Sequence, residues 1–170
     1  MQPIEIIDGI QTEKLDAILS ELNSAQCKAV LKAGSLATKL PPGKVSQKAR
    51  KKAWGQRIRD GLAHDNDALA SELLYQWILH HRRDMLTKYL NSIGVENVRG
   101  ETEESFTKTV PEPKLIEAAL ALCKDNDPVE VAMYVLYLDY HQDSHVFGSD
   151  DRILSLLSGN TSEPSVDQAD

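Results

Sequence analysis

Much that would announce an enzyme, a membrane protein or a disulfide scaffold is missing from this chain. There are only two cysteines, Cys27 and Cys123, far apart and outside any cluster, so neither a disulfide framework nor a cysteine metal site is indicated. A buried structural thiol is the reading for each, because free cysteine behaves as a small apolar side chain. No run approaches the roughly eighteen apolar residues that a membrane helix needs. The opening MQPIEIIDGI has neither a basic leader nor a long apolar stretch, so no secretory signal is read there. These absences predict a soluble protein of a reducing cytoplasm. Aromatics are sparse, with two Trp, five Tyr and two Phe. No Gly-x-Ser-x-Gly, dinucleotide-binding glycine pattern or clustered-cysteine motif occurs, and no cofactor is assigned.

What is present is a hydrophobic content of 41% over 170 residues, enough for a real core. Its strongest pattern lies in Asp67 to Ile93. Leu69, Leu73 and Trp77 recur every fourth residue, and Leu74, Ile78, Met85, Tyr89, Leu90 and Ile93 fill neighbouring rows of a broad apolar face. Asp67 suits an N-cap and Gly94 a left-handed terminator. The spacing predicts one long central helix, about 40 Å from end to end.

Before it, residues 1 to 9 read as an extended lead-in whose Ile4, Ile6 and Ile7 pack on the body. Leu15, Ile18, Leu19 and Leu22, then Cys27, Val30 and Leu31, predict a helical hairpin broken at Asn23-Ser24, with Ser24 as cap and Gly34-Ser35 or Pro41-Pro42-Gly43 as the stop. Ser46 is expected to cap a helix carrying Trp54, Ile58 and Leu62; Gly55 inside it weakens it by about 1 kcal/mol relative to alanine.

After Gly94, residues 95 to 110 read as a charged loop, with a small hairpin across GETEE as the alternative. Pro113 is placed as a first helical residue of a mostly apolar helix. Asp127-Pro128, with Glu130 at the capping-box position, opens another helix through VAMYVLYL; its β-branched residues would suit a strand, but cap, proline and length favour helix. The Asp-Asn-Asp triplets at 65 to 67 and 125 to 127 precede both strong helices, an echo best ascribed to convergence. Asp150 or Asp151 starts a last short helix, and 159–170, GNTSEPSVDQAD, reads as a disordered acidic tail. The expectation is therefore one all-α domain over 1–158, an irregular bundle of about six helices around the central one.

Charge is segregated. Eight of the nineteen Lys and Arg residues fall between Lys39 and Arg59 with no acid among them, in a chain of net charge −7. Lys44, Lys48, Arg50, Lys51, Lys52, Arg57 and Arg59 could meet phosphates in a salt-dependent way, while Trp54, in register with Ile58 and Leu62, belongs in the core rather than on a base. Arg82 and Arg83 would extend this positive surface if the two helices pack side by side. His141 and His145 have the one-turn spacing of two metal ligands, although the pattern is not His-Glu-x-x-His and Phe147-Gly148 signals a helix end. Adjacent His80 and His81 point about 100° apart and cannot share an ion.

His64-Asp65 shares its dipeptide with helical metal phosphohydrolases, but their pattern needs an earlier histidine and none precedes His64. Pro42-Gly43-Lys44 fails as a phosphate loop, having Thr38 for its first glycine and Val45 for its hydroxyl residue. The reading is a non-catalytic protein–protein interaction or regulatory module, with another protein as partner and a homo-oligomer open. Nucleic-acid binding through the basic segment is the first alternative, and a metal-dependent enzyme using His141 and His145 the second.

Overall fold

The structure, a computed structural model, describes residues 1–40, 46–102 and 105–159. It is all-α. Among the described residues, α1 (Pro3–Asp8), α2 (Thr12–Glu21), α3 (Ser24–Ala33), α4 (Gln47–Leu62), α5 (Asp67–His81), α6 (Arg83–Ile93), α7 (Glu112–Leu122), α8 (Pro128–Gln142) and α9 (Asp151–Leu157) are α-helices, with a 3-10 turn at Phe106–Lys108. That is more helices than the six expected. Lys44, the Pro41-Pro42-Gly43 stop and residues 160–170 of the expected tail lie outside the described residues.

The single long helix over 67–93 does not form. Arg82, at φ −129 and ψ 23, separates α5 from α6. The carbonyl of Leu79, which the Arg83 N–H would bond in an unbroken helix, accepts the Arg83 Nε at 2.6 Å instead. Arg82 also donates from Nη1 to the His81 carbonyl at 2.9 Å. The apolar rows hide this break, because Ile78 and Met85 are two turns apart and stay in register across it.

The lead-in is not extended but forms α1. Pro3 takes the first helical position, where its fixed φ is suited and its missing N–H is no loss, and Ile6 and Ile7 are buried. The Ile4 N–H donates to Asp67 Oδ1 at 3.1 Å. Asp67 therefore serves α1, and the cap of its own helix is Asn66, whose side chain accepts from the Leu69 N–H at 3.1 Å. Asn23 rather than Ser24 caps α3, and Pro113 is the second helical residue of α7 rather than the first. Ser46, Asp127 and Asp150 cap as expected, and Gly94 ends α6 at φ 81. Among the described residues, the segment 95–110 is mainly loop, with one isolated bridge between Val98 and Glu101 and a 3-10 turn at Phe106–Lys108, rather than the alternative hairpin.

Helix α5 packs against α1, α2, α3, α4 and α6, while α8 packs against α1, α7 and α9. The two hubs are joined through α1. Buried apolar side chains from Ile6 to Leu157 form one contiguous core. Helix α8 is buried on almost its whole circumference from Val131 to Tyr137. Beyond it Asp139, 2% exposed, accepts from the backbone N–H groups of Phe147 and Gly148, both at 2.8 Å, and from the Ser144 hydroxyl. That carboxylate fixes the turn into α9. Among the described residues, no helix is long and apolar enough to cross a membrane.

Candidate functional site

Three places gather polar or accessible side chains. The first is an aromatic cleft of about 510 Å³ between α5, α6, α8 and the segment around Gly100 and Phe106. Tyr134, Tyr137 and His141 reach it from α8 at helical spacing, and Tyr75, Ile78 and Leu79 do so from α5. Gly100 closes one edge: at φ +82, and with an added Cβ falling 2.7 Å from the Leu86 Cβ, no other residue could lie so close to α6.

The polar end of the cleft is orderly. Tyr137 donates its hydroxyl proton to the Ser71 carbonyl at 3.0 Å. The same oxygen lies 2.7 Å from His141 Nε2, so the ring nitrogen is the donor there and Nδ1 is left as an acceptor. Burial holds the His141 pKa below the ordinary histidine value, favouring that neutral tautomer. Burial also pushes the Tyr137 hydroxyl up to about 12, so it stays protonated. Tyr75 and Tyr140 are 42% and 38% exposed, and Tyr140 stacks on Tyr137 at 6.2 Å between ring centroids. Glu101, paired with Arg83 at 2.8 Å, and Asp143 stand at the rim, and no lysine or arginine is among the described lining residues.

The second place is a shallower groove of about 300 Å³ between α2 and α4, lined by Asp16, Leu19 and Ser20 on one side and Lys48, Lys51, Lys52, Gly55 and Arg59 on the other. Here the cations divide. Arg59 is ion-paired with Asp16, Lys51 donates to the Ser20 carbonyl, and Arg57 donates to the carbonyls of Ala37 and Lys39 at 2.6 and 2.9 Å. Among the described residues Lys48, Arg50 and Lys52 are exposed and make no hydrogen bond or ion pair. Trp54 is buried and donates its indole N–H to the Thr38 carbonyl at 3.0 Å, in the core as expected.

The third is an ionic network at the helix break. Arg82 holds Glu130 through Nε and Nη2, the latter at 2.7 Å, and Glu21 through Nη1 and Nη2 at 3.1 Å. Lys14 joins Glu130 at 2.6 Å and Asp127 at 2.7 Å. The Trp77 indole N–H donates to Glu21 at 2.7 Å, and the Arg82 guanidinium lies 4.7 Å from the Trp77 ring centre. Burial opposes ionisation of Glu21, but the hydrogen bonds from Arg82 and Trp77 outweigh it and hold its carboxyl below the usual range. Glu130 is thus not a capping-box acid; its carboxylate is turned inward to two cations.

No family model, curated protein or solved structure matches this chain. Site assignment therefore rests on geometry alone.

Arg82 approaches the basic helix, since adjacent Ser20 and Glu21 of α2 meet Lys51 and Arg82 respectively, whereas the Arg83 side chain turns to the Leu79 carbonyl and Glu101. Both arginines, however, are neutralised by acids, Arg82 by Glu130 and Glu21 and Arg83 by Glu101. His141 and His145 are not on one helical face: α8 ends at Gln142, and Asp143 turns left-handed at φ 49 before His145. Among the described residues no group of three or more His, Cys, Asp or Glu side chains could hold a metal ion. Tyr75, Tyr134 and Tyr137 carried no signal beyond hydrophobicity in the sequence, since they sit inside apolar rows; only the packing of α5 on α8 turns them into a cleft.

Proposed function

We propose that this chain is a non-catalytic protein–protein interaction module, and that the aromatic cleft receives the apolar side chains of an amphipathic partner segment with basic flanks. The observation that carries the reading is the cleft itself: a concave apolar lining with two exposed tyrosines at or beside it. Partly exposed aromatics around a pocket are the chemistry of interface anchors, giving contact area at low entropic loss while keeping a hydroxyl in water. The polar groups at the far end are paired with one another, which suits recognition more than turnover. Asp143 at the rim, with no lysine or arginine among the described lining residues, favours a positive flank, while Glu101 is already paired with Arg83. The two free thiols, Cys27 and Cys123, suit a cytoplasmic setting.

Calorimetric titration with a short helix-forming peptide of leucine and lysine tests this. Binding is expected, and Tyr75→Ala or Leu138→Gln should weaken it at least about tenfold, the usual scale of a lost interface anchor. A peptide that does not bind, or binds equally to both variants, removes the reading. Sedimentation of the unliganded protein as a dimer that the peptide dissociates would assign the cleft to a second copy of the chain instead.

A further inference from the structure

We propose that the groove between α2 and α4 is a second docking surface, made for an acidic helical segment of a partner protein. It shares no lining residue with the aromatic cleft, so the two readings stand or fall separately.

The argument begins with unanswered charge. Lys48, Lys52 and Arg59 fall on one stripe of α4, with Lys51 beside it, over about 16 Å at about 1.5 Å per residue. Arg59 and Lys51 are tied to the α2 wall, whereas Lys48 and Lys52 stand at the mouth without an acid among the described residues. Asp16 is the sole acid among the described lining residues, and Arg59 already neutralises it. Helix α4 also begins badly from an electrostatic standpoint: its first turn has no acid and carries Lys48 at the positive end of the helix dipole. An incoming carboxylate would relieve both.

The floor supplies a second, independent observation. Gly55 lies mid-helix, where glycine is unfavourable, and the fold gives no reason for it. An added Cβ would meet only Arg59 Nη1, at an ordinary 3.6 Å. The contrast with Gly34 and Gly61 is plain, since a Cβ at either would fall 2.7 to 2.8 Å from Leu69 or Leu36 side-chain atoms. Those glycines are demanded by packing inside the molecule; Gly55 is itself buried, and its missing side chain keeps the groove floor low beneath the residues that line it. Leu19, a core residue 6% exposed, lines the groove beside it with its apolar edge.

These features favour a protein helix over a polynucleotide. A phosphate backbone has no use for an apolar Leu19 at the groove floor, and Trp54 is committed to the core and cannot stack on a base. A helix with glutamates at i and i+4 and leucines beside them would match Lys48 and Lys52, the two lining cations without an acid among the described residues.

Fluorescence anisotropy at about 50 mM salt, where counterion effects are strong, tests the proposal. The probes are a labelled Glu/Leu/Ala peptide of that pattern, a scrambled peptide of identical composition, and single-stranded DNA and RNA of equal charge. The patterned peptide is expected to bind and to weaken with salt. Its affinity should fall at least about tenfold in Lys48→Glu/Lys52→Glu and in Gly55→Leu, and be unchanged in Tyr75→Ala, all with unaltered helicity by circular dichroism. No binding of the patterned peptide, equal binding of the scrambled one, or indifference to the lysine pair overturns it. Tighter binding of either oligonucleotide than of the peptide also overturns it, and assigns the groove to nucleic acid.

Discussion

Replacing Glu130 by glutamine keeps the shape of the ionic network at the helix break and removes its central charge. Glu130 accepts from Lys14 at 2.6 Å and from Arg82 through two nitrogens, and its side chain is 12% exposed against 17% and 22% for Lys14 and Arg82. That is too buried for the ~0–1 kcal/mol of an open surface pair, and too open for the ~3–5 kcal/mol lost when a fully buried pair is broken. Lys14 keeps Asp127 and Arg82 keeps Glu21, so neither cation is left alone. The loss should be about 2 kcal/mol, in the range of a hydrogen bond to a charged group. At about 2–4 °C per kcal/mol for a chain of this size, Tm falls by about 4–8 °C. Urea unfolding followed by circular dichroism at pH 7 should show a lower midpoint at unchanged slope. The deficit should persist in about 0.5 M NaCl, where exposed pairs are screened. Glu117→Gln, which removes the partner of Arg152 in an exposed pair, is the control and should leave the midpoint in place. A Glu130→Gln midpoint no lower than that of Glu117→Gln would refute the view that this network anchors the break between α5 and α6.

Three further outcomes are expected. Gly55→Ala should stabilise the protein by up to about 1 kcal/mol in the same unfolding assay, whereas Gly61→Ala, with its Cβ 2.7 Å from Leu36 Cδ1, should destabilise it; the opposite order would contradict the account of the groove floor. His141 should titrate by NMR below the usual value of about 6.5, because burial disfavours the imidazolium; a midpoint at or above that value would place the ring in water. Glu21 and Asp127 have lowered carboxyl pKa values: burial opposes ionisation in both, but Arg82 and Trp77 outweigh it for Glu21, and Lys14 with the Val129 N–H does so for Asp127. Their contribution is complete above the ordinary carboxylate range and is lost as pH falls through the lower folded values, so stability should drop on acidification below about pH 4.5, less steeply in Glu21→Gln; equal slopes would exclude Glu21 as a source.

The helical class was legible because the long elements carry their own signals. Helix α8 has a cap in Asp127, a proline at its first position and apolar residues on every side, and these agree. The break at Arg82 was not, because what makes it is distant: Glu130 and Glu21 approach from α8 and α2, while the local apolar rows run on undisturbed. Helix α1 escaped because six residues are too few to show a period, although Pro3 stands where a helix start would place it. Asn66 and Asp67 are both competent caps; the choice depends on α1 needing the Asp67 carboxylate. The basic segment was legible as charge, but not in which cations remain available, since Arg57, Arg59 and Lys51 are engaged by groups on other parts of the chain. The aromatic cleft was least legible, as a tyrosine in an apolar row reads as core until a facing helix gives its hydroxyl an acceptor.

The placement of α1 between the two hubs has a kinetic consequence. Its six residues are far too short to hold a helix unaided. Its backbone bond to Asp67 spans 63 residues, and its packing on α8 spans a longer stretch still. During synthesis, therefore, α1 can complete its contacts only after α8 has left the ribosome, and Ile6 and Ile7 are not fully covered until then. Closure of α1 should be a late folding step with a low φ-value, and pulse-labelled hydrogen exchange would find its amides protected after those of α5 and α8.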